Sequence, residues 1–301
     1  MLAFVTTLRA RALAQEWDYH VWLLERTLDS MLAQTNPDFV VVVVCHEIPN
    51  VRQRDHPKIK FLPINFPPPE QDFDDMCADK VLKLSAGIEW VIGAGCDHLM
   101  FSDADDLVNR NICAFVEARR DTDGFYNACE LHYRYGGLFL RRHGPHAYSG
   151  PCAVFRADLL RFDQPPFQGR WIQMLISAGE SRYLDILARK GRRVNTVAAV
   201  GHTLYCTLLA AERRHLLPLP FSGIVMIEHN DSTSHVAGGI GSRVWEGRPR
   251  HPKWRNTLST IKQRLRLLPS LRPLSLSLYR DFTVLRPARV PPAYRSRGSI
   301  F

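Results

Sequence analysis

Residues 39–45 read FVVVVVC, an unbroken apolar run with five consecutive valines. β-Branched residues favour strands, and a strand that is apolar at every position is typical of a parallel sheet covered on both faces. Another apolar run lies at residues 2–8, and apolar residues at helical spacing predict a helix over residues 21–32. Strand, helix and strand in this order predict a right-handed crossover, the start of a Rossmann-like fold.

Strands and helices continue to alternate along the chain. Residues 59–62 and 98–101 have the short apolar patterns of strands, and residues 79–91 have helical spacing after a proline-broken loop at residues 66–75. Later patterns predict helices over residues 109–119 and 172–190 and strands over residues 124–135, 137–141, 152–155, 193–200 and 223–227. We therefore predict an α/β fold with a mixed, mostly parallel sheet flanked by helices.

The positive charge of the chain is concentrated near its C-terminal end. The sequence carries 39 Lys+Arg and 30 Asp+Glu, a formal net charge of +9. Residues 243–301 hold 14 of the basic residues and 2 of the acids, so residues 1–242 are slightly acidic. We predict one domain over residues 1–242 and a basic, helical or flexible, extension over residues 243–301. No nucleic-acid-binding module accompanies the charge, so nucleic acid is not an expected partner.

Cysteine spacing indicates a reduced compartment, and hydropathy predicts neither a signal peptide nor a membrane span. The seven cysteines lack the close pairs of zinc sites and redox dithiols. The N-terminal apolar stretch is too short for a signal peptide, and no window reaches the roughly 18–20 apolar residues of a membrane span. We expect a cytoplasmic protein, and any membrane association to be peripheral, at the inner face.

An acidic cluster, Ser102-Asp103-Ala104-Asp105-Asp106, follows the predicted strand at residues 98–101. Ligands of open α/β sheets bind outside the carboxyl ends of the strands. Carboxylates one residue apart can hold a divalent cation together with the phosphate oxygens of a nucleotide. The alternative is an acidic turn or helix N-cap, because aspartate is favoured at both.

Five segments occur in a distinctive order: the N-terminal strand, LERTLDSMLAQT at residues 24–35, the valine strand, Asp79-Lys80, and MFSDADD at residues 100–106. In this order the chain resembles the family-two glycosyltransferases with the GT-A fold, up to about residue 206 and more loosely to residue 240. It looks closest to a bacterial rhamnosyltransferase-like branch. The resemblance implies transfer of a sugar from a nucleoside-diphosphate sugar to a hydroxyl of a glycan or lipid-linked acceptor, with inversion at the anomeric carbon.

The resemblance also implies a nucleotide-sugar site with a metal ion, Mn²⁺ or Mg²⁺. Glu47 is a departure, since the family more often has aspartate near this point, and residues 46–49 read HEIP. The implied residues are Thr7, Leu8, Arg9, Glu47, Asp79, Lys80 and Asp103 for the nucleotide sugar, with Asp103 binding either the ribose or the metal, and Asp105 for the metal.

Two acids are candidates for the catalytic base. Family members carry an acidic pair at the start of a helix that ends in Arg-x-x-Gly, and counting back from Gly191 places the second acid at Glu180. The first position of the pair is Gly179, a departure from the family. Asp185 is the reserve, but it lies about 140° around the helix from Glu180, so only one of them can face the site. The alternative role for Glu180 is an interaction with the helix dipole.

A histidine from the C-terminal part of the domain often completes the metal shell in this family. His202, His229 and His235 are candidates, and we prefer His229 because a polar turn with the sequence HNDS follows an apolar strand there. A hydrogen-bonded histidine without a metal is the alternative.

The extension contains an amphipathic stretch. Its apolar residues keep helical spacing, with arginine and lysine on the opposite side, and are Trp254, Leu258, Ile261, Leu265 and Leu268. Such a stretch suits an anionic membrane surface, where lipid-linked acceptors reside. A helix packed back on the domain is the alternative.

Three other functions compete with a sugar transferase. A catalytically degenerate domain that binds a glycan or a partner is favoured by Gly179. A nucleic-acid binder has charge in its favour but no recognised module. A nucleotidyltransferase would carry a glycine-rich loop with a basic residue after the first strand, and VTTLRA at residues 5–10 has none.

Overall fold

The first 103 residues build four adjacent strands of a seven-stranded sheet. The computed structural model describes residues 1–14, 16–70, 72–133, 139–143, 153–160, 162–163, 181–200, 205–227, 271–273 and 276–282. The first elements are β1 (Leu2–Thr7), α1 (Trp17–Leu32), β2 (Phe39–Cys45), β3 (Ile59–Pro63), α2 (Phe73–Gly93) and β4 (His98–Asp103).

Shorter elements follow. They are β5 (Leu107–Val108), α3 (Ile112–Glu117), β6 (Gly124–Tyr126), β7 (Glu130–Tyr133), β8 (Phe139–His143), β9 (Val154–Arg156), β10 (Phe162–Asp163), α4 (Ser181–Arg189), β11 (Val194–Asn195), α5 (Thr196–Val200), α6 (Tyr205–Ala211), β12 (Leu217–Pro218), β13 (Ile224–Ile227), β14 (Leu271–Pro273) and α7 (Leu276–Asp281).

The main sheet has the strand order β12-β6-β9-β4-β1-β2-β3. β1, β2, β3 and β4 are parallel, and β9 is antiparallel to both β4 and β6. This α/β arrangement, a mixed and mostly parallel sheet flanked by helices, confirms the predicted fold class. The chain runs outward from β1 to β3 and then returns to place β4 on the other side of β1, so the strand order reverses between β1 and β4.

Alternating side chains of the central strands fill two cores. Val42 and Val44 of β2 pack on the face that α2 covers, whereas Val41 and Val43 pack on the face that α1 covers. α2 lies very close to β1, because a Cβ added at Gly87 would come within 2.6 Å of Val5 Cγ1. The all-valine strand therefore has an apolar neighbour at every position, as a strand covered on both faces requires.

A second, five-stranded sheet has the order β14-β8-β7-β13-β5. Its last strand, β14, and α7 belong to the predicted C-terminal extension. Phe282, directly after α7, is 2% exposed and packs with Leu23, Val225 and Ile227. The N–H of Arg110 also donates to the Asp281 carbonyl at 3.0 Å. Residues 271–273 and 276–282 thus pack on the domain, while the amphipathic stretch at residues 254–268 lies outside the described residues.

Four predicted elements differ from the structure. The strand predicted over residues 124–135 is divided into β6 and β7, which belong to different sheets. α2 begins at Phe73, inside the predicted loop, because the Asp72 side chain caps it by accepting from Asp75 N–H. The helix predicted over residues 109–119 is confined to α3, since the N–H groups of Asn109 and Arg110 donate to the carbonyls of Gly223 and Asp281 in other segments. The strand predicted over residues 193–200 turns into α5 after two residues, because the Asn195 side chain accepts from two backbone N–H groups of the next turn.

None of the helices in the described ranges combines the length and the apolar character that crossing a bilayer requires.

Candidate functional site

A cavity of about 240 Å³ opens at the carboxyl ends of β1 and β4. Thr7, the last residue of β1, is in register with Asp103, the last residue of β4. The strand order reverses between these two strands, and ligands of open α/β sheets bind at such a switch point. The walls come from the loop after β1, the first half of α2, the turn after β4 and the end of β13.

The acidic cluster forms the turn after β4. The turn is closed by Asp106 N–H donating to the Asp103 carbonyl at 3.3 Å, and it is tied to α1 by the Thr27 hydroxyl donating to the Ala104 carbonyl at 3.0 Å. The carboxylates of Asp103, Asp105 and Asp106 all line the cavity. A tight turn that is anchored on both sides thus places three carboxylates at the wall of one cavity.

Asp106 is the most buried of the three acids. The residue is 3% exposed, and its carboxyl accepts a hydrogen bond from the Ile227 backbone. Its Oδ2 has no hydrogen-bond partner among the described residues. Burial, together with the charges of Asp105 and Asp103, raises the pKa of Asp106 well above its ordinary value. The carboxyl therefore holds an unused oxygen at the cavity wall.

Two cationic side chains face the cluster. Lys80 Nζ lies 2.5 Å from Asp103 Oδ1, with the lysine side chain 47% exposed. Partial burial opposes its charge, but the carboxylates of Asp103, Asp105 and Asp106 raise the pKa of Lys80. Arg9 is half-buried, and that burial lowers its guanidinium pKa against the attraction of Asp105. The site therefore offers acidic oxygens for a cation and basic groups for an anion within one cavity.

A buried network forms the other wall. Lys83 Nζ lies 2.6 Å from Asp79 Oδ2 and donates to the Leu8 carbonyl at 2.8 Å, while His46 Nε2 lies 2.8 Å from Asp79 Oδ1. The Lys83 side chain is 1% exposed, and burial lowers its pKa against the attraction of Asp79. Both carboxylate oxygens of Asp79 are therefore held by protein partners, and the same lysine fixes the loop after β1.

Most of the residues that the sequence analysis assigned to the nucleotide sugar or its metal ion lie around this cavity. Those that line it are Thr7, Leu8, Arg9, Asp79, Lys80, Asp103 and Asp105. Glu47 does not line it, and instead accepts from the Arg11 N–H at 2.9 Å. The structure thus brings these seven residues together, and their roles stay predictions.

Of the candidate bases and the candidate histidine ligand, the structure describes only Asp185. Asp185 is exposed on α4 and does not line the cavity. Glu180 and His229 lie outside the described residues. Both assignments stay predictions.

Sequence reasoning missed three residues of the site. Asp106 lay in the quoted motif without an assigned role. Lys83 carried a local signal, since it follows Asp79 by four residues on one helix. His46 follows the valine strand directly, but no pattern linked it to Asp79.

The donor atoms of the acidic cluster suit a hard divalent cation. Carboxylate oxygens are preferred ligands of Mg²⁺ and Mn²⁺, and the unpartnered Asp106 Oδ2 is an available one. Within the described residues, no group of three or more His, Cys, Asp or Glu side chains is arranged to hold a metal ion by itself. A cation here would complete its coordination with water molecules or with the substrate phosphates that Mg²⁺ commonly uses.

Comparison with known proteins gives a weak structural likeness. No protein-family model matches the sequence, and no curated protein matches it. The structure is similar to S. aureus TarS 1–349 in complex with UDP, with 12% identity and a TM-score of 0.40 over 75% of this chain and 60% of that chain. It is also similar to TarS 1–349 in complex with UDP-GlcNAc, with 11% identity and a TM-score of 0.37 over 77% and 59%. Values this low assign neither a family nor an activity.

Proposed function

We propose that this chain is a glycosyltransferase that moves a sugar from a nucleoside-diphosphate sugar to an acceptor hydroxyl. The observation that carries the proposal is the placement of Asp103, Asp105 and Asp106 opposite Arg9 and Lys80 at the switch point of the sheet. A diphosphate with its cation needs both signs of charge at one place, because acids hold the cation and basic groups hold the phosphates.

The proposed cation is Mn²⁺ or Mg²⁺, held by Asp105 with Asp103, and with His229 as a further candidate ligand. When bound, such a cation supplies Lewis-acid stabilisation of the leaving diphosphate. Arg9 and Lys80 bind the phosphate oxygens from the protein side. Asp79 keeps its proposed place at the nucleotide base, held there by Lys83 and His46.

The proposed base is Glu180, with Asp185 in reserve. Its carboxylate takes the proton of the acceptor hydroxyl while that oxygen bonds to the anomeric carbon. The bond between the anomeric carbon and the diphosphate oxygen breaks with its electron pair going to the phosphate. Attack in line with the leaving group inverts the anomeric configuration.

The finer substrate assignments rest on the family resemblance. Because the resemblance is to a rhamnosyltransferase-like branch, rhamnose is the first donor sugar to test. Because the stretch at residues 254–268 is amphipathic, a lipid-linked acceptor is the first acceptor to test. Because Phe282 is part of the core, membrane binding should be tested in the full chain rather than after truncation. Leu258→Asp with Ile261→Asp should reduce binding to anionic vesicles.

Thermal unfolding with nucleoside diphosphates tests the site. We expect one of UDP, GDP, dTDP, CDP or ADP, added with Mn²⁺ at about 100 times its Kd, to stabilise the full chain by roughly 2.7 kcal/mol. Asp105→Asn should abolish the stabilisation. Asp97→Asn is the matched control, because Asp97 lies just before β4 at the opposite end of that strand. An equal shift in wild type and Asp105→Asn would rule out this site.

Turnover of the matching sugar nucleotide tests the base. Glu180→Gln should lower kcat by about 10²- to 10⁴-fold while the nucleotide-induced shift persists. Asp185→Asn should stay near wild type, and the reverse pattern would move the role to Asp185. Nucleotide binding by the wild type with no transfer to any acceptor would favour the degenerate binding protein.

A further inference from the structure

We propose that Lys80 is an exchangeable counter-ion. Its ammonium group neutralises the acidic cluster before a divalent cation arrives, and it moves to the phosphate oxygens when cation and nucleotide bind. The inference rests on the proposed function, because it requires a diphosphate ligand. It makes Lys80 the group that couples the binding of the two ligands.

The acidic cluster keeps one carboxyl oxygen that no described neighbour occupies. Lys80 Nζ contacts Asp103 Oδ1 at 2.5 Å, and the carboxylates of Asp105 and Asp106 also favour its charge. Asp106 is 3% exposed and keeps an unpartnered Oδ2 at the cavity wall. The cluster therefore retains an oxygen for a cation, and the ammonium group occupies a neighbouring oxygen.

Lys80 is free to move in a way that Lys83 is not. The Lys80 side chain is 47% exposed and contacts Asp103, which is itself 31% exposed. Lys83, three residues on, is 1% exposed and bonded to both Asp79 and the Leu8 carbonyl. A lysine on a flexible four-carbon stem can follow a mobile charge, whereas a buried and doubly bonded lysine cannot.

An ammonium group and a divalent cation compete for Asp103. Both need its carboxylate oxygens, and two cations a few ångströms apart repel each other even in water. A diphosphate supplies new oxygens to which Lys80 can donate charge-assisted hydrogen bonds. Transfer of Lys80 to these oxygens frees Asp103, so the nucleotide raises the affinity for the cation. By linkage, the cation raises the affinity for the nucleotide by the same factor.

Binding of Mn²⁺ alone to the metal-free full chain tests the exchange, with the free ion followed by its electron paramagnetic resonance signal. Lys80→Met should bind Mn²⁺ about tenfold more tightly than wild type in the absence of nucleotide. With Mn²⁺ present, it should bind the stabilising nucleoside diphosphate about tenfold more weakly. Lys80→Arg, which keeps the charge, and Lys60→Met, an exposed lysine of β3, should both resemble wild type for Mn²⁺ alone.

The two hypotheses fail differently in this experiment. Equal or weaker Mn²⁺ binding by Lys80→Met, or no Mn²⁺ binding by either protein, would overturn the exchange, provided that both have the same far-UV circular dichroism and unfolding midpoint. Failure of wild type to bind any of the five nucleoside diphosphates would instead overturn the proposed function, and with it the role of Lys80 at the phosphates.

Discussion

Two walls of one cavity carry the same kinds of charged residue and hold them in opposite ways. The locked wall consists of Asp79 and Lys83, with His46 bonded to Asp79 outside the cavity lining, and the open wall consists of Lys80, Asp103, Asp105 and Asp106. On the locked wall, both oxygens of Asp79 have protein partners and Lys83 is 1% exposed. On the open wall, the lysine that meets Asp103 is 47% exposed. Both lysines come from α2, so the difference arises from what each one packs against.

The two walls differ in whether their ion pairs hold side chains in place or can rearrange when a ligand binds. A buried ion pair with every partner satisfied holds its groups in one arrangement, and removing one member leaves an uncompensated buried charge. A half-exposed pair contributes little to stability because water competes for it, and it can rearrange at small cost. The locked wall therefore shapes the loop after β1, and the open wall can respond to a ligand.

The largest expected effect comes from the locked wall. Lys83→Met should destabilise the protein by about 3–5 kcal/mol, because it leaves the buried Asp79 carboxylate without its cation. The double variant Asp79→Asn/Lys83→Met should recover much of this loss, since neither buried charge remains. Urea unfolding measures all three proteins, and a loss below about 1 kcal/mol for Lys83→Met would contradict the locked wall.

The next effect concerns the support behind the open wall. Phe282→Ala should cost about 3 kcal/mol of unfolding free energy, the lower end for a buried phenylalanine, because the short helix before it can shift. Phe282→Leu should lose less than about 1.5 kcal/mol. Phe282 packs with Ile227, whose backbone holds Asp106, so Phe282→Ala should also weaken Mn²⁺ binding. Wild-type stability of Phe282→Ala would show that the C-terminal segment is not part of the core.

A smaller effect is expected for Asp106 and depends on pH. Because burial raises its pKa, the folded chain keeps a proton that the unfolded chain loses near pH 3.9. Stability from this group is fully present below that pH and declines as the pH rises toward the raised pKa. Asp106→Asn, which imitates the protonated acid, should be more stable than wild type at pH 7 in EDTA and match wild type near pH 3.5. Parallel pH profiles for the two proteins would refute the assignment.

The smallest effect should be that of Lys80 on stability. Lys80→Met should change the unfolding free energy by less than about 1 kcal/mol, because its ion pair is half-exposed. Unfolding in 1 M NaCl provides a check, since salt screens this pair far more than the buried pair of Lys83. A loss for Lys80→Met as large as that for Lys83→Met would remove the distinction between the two walls.

Much of the fold followed from local patterns, and two of the misses share one cause. The strand at residues 39–45 has the predicted bounds, because five valines exclude other local structure. The early start of α2 and the turn into α5 escaped prediction, since each depends on one side chain that caps a helix, Asp72 or Asn195. A capping bond is worth about as much as several residues of propensity, and periodicity does not detect it.

The site was predictable in position but not in its internal arrangement. The acidic motif after a strand and the crossover order placed Asp103 and Asp105 at a ligand-binding edge, and the structure places both at a cavity there. Spacing alone did not show that Lys83 reaches the Leu8 carbonyl, because that contact joins residues 75 positions apart. The role of His46 likewise depends on a partner 33 positions away.

Composition and periodicity were sufficient to place strands, helices and a charged strand end, because these depend on neighbours within a few residues. The tertiary structure alone decided which of two lysines on one helix is immobilised, and that Phe282 of a basic extension belongs to the core. Whether a charge is buried, and which segment completes a core, depend on contacts between residues far apart in the sequence, so local patterns do not predict them.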